Sequence, residues 1–147
     1  MNELKHYVGT GLKFLIHREG DRIEEEEKFT GIHFSKSTTT IWFGEIGYSD
    51  EYFDFKPILR PLDMLKYSLR GLEKISPEST FFSTNVLAAD LWAIANGNIT
   101  DWRNFKSDTF IFLIERQYDV FGLIERKLAI RSMGLGDESR NDFYTKN

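Results

Sequence analysis

The chain has 147 residues, about the length of one domain, and can bury a substantial hydrophobic core without a metal or a disulfide. It contains no cysteine, which excludes disulfides, thiolate metal sites and cysteine nucleophiles. Its net charge of −4 differs from the basic balance of a general nucleic-acid-binding protein. The first 56 residues carry all of this negative charge, and the rest of the chain is neutral.

The apolar content of the chain argues against a membrane protein. No apolar stretch approaches the roughly 20 residues that a membrane-spanning helix needs, and the first residues lack the apolar core of a signal peptide. We therefore expect a soluble protein of the cytoplasm. Aromatic residues are plentiful, with 13 Phe, 6 Tyr and 3 Trp. We expect some of these rings to face a partner, because they exceed the needs of one small core.

The first part of the chain alternates short apolar runs with turn signals, which is typical of strands. Leu4, Tyr7 and Val8 predict a short helical segment that ends at Gly9. We predict strands at residues 12–18, 22–34, 38–43 and 52–55, with residues 44–51 as a loop. The run Thr38–Phe43 is β-branched and aromatic, which favours a strand most clearly. Strands joined by short turns predict a small antiparallel, SH3-like sheet over about residues 10–56.

Residues 55–65 separate strand-like from helix-like sequence and contain Pro57 and Pro61. Each proline fixes its own φ and favours an extended residue before it. Pro61 can also open a helix at its first position. Because the stretch is apolar enough to be buried, we interpret it as a rigid junction and not as a flexible linker. Arg60 within it is either solvated or paired, and Asp63 is a candidate partner.

The remaining chain shows helical periodicity, which predicts helices at about residues 62–75, 84–96 and 108–131. The first carries an apolar stripe of Leu62, Leu65, Leu69 and Leu72. Ser83 or Thr84 can cap the second helix, and Asn96–Gly97 ends it. In the third, residues 110–114 are apolar on all sides, so they form either buried helical turns or a strand.

These elements predict a single α+β domain over residues 1–134. The small antiparallel sheet packs against two or three helices from the second part of the chain. Residues 135–147 are polar and lack periodicity, which is typical of a mobile tail.

Four consecutive glutamates, Glu24–Glu27, lie in a segment predicted as strand. On a strand at most two of them share a face. They form either a solvated edge that resists strand addition or a surface that docks on a basic partner. Under the second interpretation, the candidate partner-binding residues are acidic or aromatic: Glu24, Glu25, Glu26, Glu27, Trp42, Tyr48, Asp50, Glu51 and Tyr52.

Basic residues on the predicted last helix offer an alternative surface. They are Arg116, Arg126, Lys127 and Arg131, which together can contact nucleic-acid phosphates. Glu115, Asp119 and Glu125 are interleaved with them, which also fits an ordinary salt-bridged helix face.

The three histidines are His6, His17 and His33. His17 and His33 can meet across paired strands, where Glu19 or Glu27 can complete a metal site. Isolated strand histidines are more often surface or hydrogen-bonded residues. The chain has no nucleophile elbow, zinc-binding helix or phosphate loop. We therefore predict no enzymatic activity, no catalytic residue, no metal and no cofactor.

Three stretches of the chain carry a resemblance when taken together: Leu4–Lys13, Lys56–Leu62 and Asp119–Ile130. With them the chain resembles a loose family of small uncharacterised proteins of bacterial phages and prophages. In that family the three blocks occur in the same order. The family has no established activity, so the resemblance implies membership and assigns no catalytic residue.

Taken together, these observations predict a non-enzymatic phage accessory protein that binds a host protein in the bacterial cytoplasm. Its most concrete form is an inhibitor of a host antiviral nuclease, such as a CRISPR effector. One alternative is a nucleic-acid-binding module that uses the basic residues of the last helix. Another is a metal-dependent nuclease that uses His17 or His33. The sequence does not predict the oligomeric state.

Overall fold

The computed structural model describes residues 2–69 and 85–132. These described residues form seven strands and three α-helices, which confirms the α+β class. They fall into two compact units, 2–60 with 114–132 and 61–69 with 85–113. The predicted tail at 135–147 and the second half of the predicted helix at 62–75 lie outside the described residues.

The first unit contains every described strand. A 3₁₀ helix at Asn2–Tyr7 comes first. The strands are β1 (Lys13–Arg18), β2 (Asp21–Ile23), β3 (Phe29–Phe34), β4 (Thr39–Phe43), β5 (Ile46–Ser49), β6 (Asp54–Leu59) and β7 (Ile130–Arg131). They form a four-stranded sheet of order β2-β1-β6-β7 and a three-stranded sheet of order β3-β4-β5. All neighbouring strands are antiparallel except β6 and β7.

The structure therefore has two small sheets where the sequence predicted one, and the SH3-like form of the sheet is not confirmed. The two sheets meet through aromatic rings. The ring centroid of Phe14 on β1 lies 4.9 Å from that of Phe29 on β3 and 5.6 Å from that of Phe43 on β4. It also lies 6.4 Å from the ring centroid of Phe55 on β6. These distances are typical of packed aromatic pairs, so one ring joins both sheets.

Three predicted segments of the first part were wrong in extent. The strand predicted at 52–55 spans Asp54–Leu59. The predicted strand at 22–34 is broken, because Glu24–Glu27 leave the sheet and form a loop between β2 and β3. Four adjacent carboxylates cannot all be hydrated while they belong to a packed strand. The predicted loop at 44–51 contains β5, because Gly44 has a φ of 65° and opens a two-residue turn between Phe43 and Ile46.

The last helix is also shorter than predicted. It spans Ser107–Glu115, where the prediction extended to residue 131. Gln117 then has a φ of 57°, which ends the helical conformation. The chain pairs with the junction instead, since Asp119 N–H donates to the Arg60 carbonyl at 2.7 Å and Arg60 N–H donates to the Gln117 carbonyl at 2.8 Å. After these contacts it continues in turns to β7.

The predicted junction at 55–65 is divided between the two units. Its first half forms most of β6, and the residues preceding both prolines are extended as predicted. Pro61 (φ −67°, ψ 149°) precedes a 3₁₀ helix at Leu62–Met64 as its N-cap residue, one position before the predicted one. Arg60 is buried at 8 % exposure. Its guanidinium lies 4.7 Å from the centre of the Tyr118 ring, which gives it an aromatic partner.

The second unit is helical. It contains α1 (Leu65–Ser68), α2 (Val86–Ala95), a 3₁₀ helix at Trp102–Asn104, and most of α3 (Ser107–Glu115). Asn85 caps α2 by accepting a hydrogen bond from Ala88 N–H, whereas the predicted caps at 83 and 84 lie outside the described residues. Gly97, with a φ of 77°, ends this helix as predicted. The run 110–114 is helical, but Ile111 is 51 % exposed, so the run is not buried on all sides.

Within this unit the buried apolar side chains are Met64, Leu65, Leu69, Ala88, Leu91, Ile94, Ala95 and Leu113. Asp90 ties α2 to α3. Its carboxylate accepts a hydrogen bond from Thr109 at 3.2 Å and lies 3.6 Å from the Lys106 ammonium.

A glycine on β5 sets the position of Trp42. The two residues are direct partners between β4 and β5. A Cβ added at Gly47 would meet three indole atoms at 2.7 to 2.9 Å, so the ring lies against the glycine backbone. We predict that Gly47→Ala lowers the free energy of unfolding by about 1 to 3 kcal/mol, because the ring must move. Chemical denaturation followed by circular dichroism measures this change.

Gly31→Ala is the matched control, because Gly31 faces Trp42 from β3 and an added Cβ there meets nothing within 4 Å. We expect it to leave stability within about 0.5 kcal/mol of the wild type. Equal stability of the two glycine variants would contradict the packing of Trp42 on Gly47.

Candidate interaction surface

The loop Glu24–Glu27, which we name the acidic loop, is held in place by one of its own carboxylates. Glu25 Oε2 accepts a hydrogen bond from the Tyr48 hydroxyl at 2.8 Å. Glu25 Oε1 accepts one from Glu27 N–H at 3.2 Å. Burial, together with this bond to Glu25, raises the pKa of Tyr48 to about 12. Glu25 is half-buried and the other three glutamates are exposed, so the loop has one anchored carboxylate and three accessible ones.

Two further contacts lie at the ends of the acidic loop. At its start, the guanidinium of Arg22 lies 3.0 Å from the Glu24 carboxylate. This pair is exposed, so it contributes little to stability. At its end, the Glu27 carboxylate lies against Gly44, where an added Cβ would overlap it.

The acidic loop borders a hollow of about 290 Å³ between the two sheets. The hollow is lined by three glutamates of the loop, two basic residues, two aromatic residues and one isoleucine: Glu24, Glu25, Glu27, Lys13, Arg22, Phe14, Phe43 and Ile58. Three of the four carboxylates therefore surround one space, although a strand would have placed at most two on a face. Such an arrangement suits a basic side chain of a partner, because carboxylates are strong acceptors for ammonium and guanidinium groups.

The other predicted partner-binding residues lie elsewhere. Trp42 is 39 % exposed on the outer face of β4, and Tyr52 is 67 % exposed in the turn before β6. Asp50 accepts a hydrogen bond from Thr39 N–H at 3.0 Å, which places it and the exposed Glu51 near the start of β4. The acidic loop reaches Gly44, which follows the end of β4. The predicted residues therefore form two groups at opposite ends of the β4–β5 hairpin.

Tyr48, which the sequence analysis placed among the candidate partner-binding residues, is buried in the structure. Its side chain is 8 % exposed, and its ring centroid lies 5.9 Å from that of Phe43 and 5.0 Å from that of Phe53. The alternation of β5 turns it toward the aromatic core. From this position its hydroxyl donates to Glu25.

The four basic residues of the alternative surface do not share a helix. Arg116 is half-buried just beyond the end of α3, Arg126 and Lys127 lie in the following turns, and Arg131 lies on β7. Arg126 donates to the Glu3 carboxylate at 2.9 Å. This hydrogen bond lowers the pKa of Glu3 to about 2. These four residues therefore do not form one basic helix face.

The two strand histidines do not meet. His17 on β1 is opposite Asp54 in the four-stranded sheet, whereas His33 on β3 is opposite Thr40 in the three-stranded sheet. Among the described residues, no group of three or more His, Cys, Asp or Glu side chains is placed to hold a metal ion. His6 lies in the 3₁₀ helix with its ring centroid 5.4 Å from that of Phe121.

A buried polar centre, which the sequence analysis did not predict, holds the segment that follows α3. The Tyr7 hydroxyl donates to the Tyr118 carbonyl at 2.6 Å. The Asp119 carboxylate accepts from Leu123 N–H at 2.7 Å and from Ile124 N–H at 2.9 Å. Burial raises the pKa of Asp119 in spite of these donors. Asp119 followed by Gly122 was the available signal for a turn, but the helical spacing of the apolar residues concealed it.

Comparison with known proteins adds no further assignment. No protein-family model, no curated protein and no solved structure matches the chain. In the part of the chain that the structure describes, no helix has the length and apolar character needed to cross a membrane.

The Tyr48–Glu25 hydrogen bond gives a direct prediction. Tyr48→Phe keeps the ring in the aromatic core and removes only the donor. We expect the free energy of unfolding to fall by about 1 kcal/mol, because a charged acceptor loses its protein partner. Urea denaturation at neutral pH measures the change.

Tyr52→Phe is the control for that measurement, since Tyr52 is exposed and the same hydroxyl is removed there. We expect Tyr52→Phe to change the free energy of unfolding by no more than about 0.5 kcal/mol. If the two variants unfold at the same denaturant concentration, Tyr48 does not anchor the acidic loop.

Proposed function

We propose that this protein acts by binding a host protein, and that the acidic loop provides the contact. The observation that carries the proposal is the position of Glu24, Glu25 and Glu27 around one hollow. Tyr48 holds Glu25 there, so the loop is already ordered before a partner binds. Preorganisation of this kind lowers the entropic cost of association.

The chemistry of the surface favours a partner with exposed lysine or arginine. Proteins that handle nucleic acid carry such residues in quantity, and the acidic loop can occupy the position of a phosphate backbone. In its most concrete form, the proposed function is inhibition of a host antiviral nuclease, such as a CRISPR effector. The resemblance to phage and prophage proteins supports this form and, with it, action in the bacterial cytoplasm.

The alternative of a nucleic-acid-binding module has less support from the described residues. It depended on a basic face along one long helix, and α3 ends at Glu115 before any of the four basic residues. The nuclease alternative used His17 or His33 with nearby carboxylates. The two histidines belong to different sheets, and no group of three or more metal-binding side chains occurs among the described residues.

Affinity purification with matched charge variants tests the proposal. Tagged wild-type protein and Glu24→Lys/Glu26→Lys are expressed in infected or lysogenic host cells, and captured protein and nucleic acid are both analysed. These two glutamates are exposed and make no contact with Tyr48 or Gly44. Glu24 loses only its exposed pair with Arg22, which contributes little to stability, so the fold is preserved. We expect a basic protein to be captured by the wild type, and roughly tenfold less of it by the variant at low salt.

Glu115→Lys/Glu125→Lys is the control, because these two glutamates are also exposed and the change in net charge is the same. We expect it to capture as much partner as the wild type does. If both variants capture equally little partner, net charge alone explains the loss. If the loop variant captures as much partner as the wild type, the acidic loop does not contact the partner. Recovery of nucleic acid without a protein partner would favour the nucleic-acid-binding alternative.

A further inference from the structure

One edge of β6 is open among the described residues. On one side β6 pairs with β1 from Asp54 to Ile58. On the other side β7 pairs only with Ile58 and Leu59. No described residue pairs with residues 54–56 on that second side. The first half of β6 therefore presents an unpaired strand edge, which is a template for another strand.

The hairpin between β1 and β2 determines which backbone groups face this edge. Arg18 and Asp21 are opposite each other across a two-residue turn, so they form a hydrogen-bonded pair. Backbone groups alternate in direction along a strand, so those of His17 point toward β6 and those of its partner Asp54 point back toward β1. The N–H and C=O of Phe55 consequently point away from β1, toward the open edge.

A contact at the other end of β6 agrees with this direction. The Leu59 carbonyl accepts a hydrogen bond from Ser132 N–H at 2.8 Å, so it faces the β7 side. Phe55 lies four residues earlier and therefore faces the same side. Pro57 lies between them on that side, where its missing N–H removes no bond to β1.

A second hollow, of about 450 Å³, lies over the face that β1 and β6 share, next to β7. It is lined by Leu15, His17, Asp54, Phe55, Lys56 and Ile130. Asp54 and Lys56 are exposed and share one face of β6, since they are two residues apart. The edge thus has unpaired backbone groups and two opposite charges.

We propose that the open edge binds a second copy of this chain, with β6 antiparallel to β6 of the partner and Phe55 opposite its own equivalent. In this register Asp54 lies opposite Lys56 of the other copy, and Lys56 lies opposite Asp54. Two cross-strand pairs of opposite charge form at once, and like charges never meet. The two Phe55 backbones exchange both of their hydrogen bonds across the two-fold axis.

The neighbouring elements limit this ladder to residues 54–56. β7 occupies the edge from Ile58 onward. Glu51 and Tyr52 form a turn, which ends the extended segment before it reaches the position of β7 of the other copy. A ladder of this length is short, so the dimer is expected to be weak and concentration-dependent.

A charge swap tests the proposal with the full-length protein. Analytical ultracentrifugation over a concentration series measures the dimer dissociation constant of the wild type, D54K and D54K/K56D. In D54K two lysines face each other across the ladder, and we expect association to weaken by about tenfold. In D54K/K56D the opposite charges are restored in reversed order, and we expect wild-type association to return.

Amide hydrogen exchange gives a second readout that does not depend on charge. The Phe55 amide is predicted to exchange quickly in dilute protein and slowly in concentrated protein. The Ile58 amide, which faces β1, should be protected at both concentrations. This pattern separates pairing at the open edge from association at any other surface.

Three results would overturn the proposal: a wild type that stays monomeric up to about 1 mM, a dimer that D54K leaves unchanged, or a D54K defect that K56D fails to repair. The acidic loop is not involved, so Glu24→Lys/Glu26→Lys should dimerise normally. Failure of the dimer and failure of the acidic-loop function are thereby distinguishable.

Discussion

The Phe14 ring is the interaction on which the first unit depends. It lies on β1 and touches rings from both sheets, including Phe29 and Phe43 of the three-stranded sheet. The two sheets share no backbone ladder among the described residues, so the packing of side chains is the main contact between them. A buried aromatic side chain provides much of the apolar area that such a junction needs.

The acidic loop and the open edge of β6 both result from this arrangement. The loop connects β2 of one sheet to β3 of the other, so the aromatic contact fixes both of its ends. Tyr48 continues the aromatic cluster on β5 and carries its hydroxyl to Glu25. The open edge exists because β7 has only two residues and covers only the second half of β6. Short strands thus leave polar groups accessible beside a firmly packed core.

The α+β class, most strands and the end of α2 were predictable because hydrophobic spacing and turn residues are local signals. The end of α3 was not, because Gln117 and Asp119 turn the chain through contacts with distant residues such as Tyr7 and Arg60. The site was predictable in composition but not in arrangement. Four glutamates in a row indicated an acidic surface, but only the tertiary fold shows that three surround one hollow. Pro57 in β6 was a readable signal of an open edge that the sequence argument did not use.

Native-state hydrogen exchange of Phe14→Leu tests most directly whether one ring unites the two sheets. If it does, the free energy of opening measured at the amides of Ile16 on β1 and Ile41 on β4 should fall by the same amount, about 1 to 2 kcal/mol. Loss of protection at Ile16 with unchanged protection at Ile41 would contradict the account. The three-stranded sheet would then be stable without Phe14, and the position of the acidic loop would need another cause.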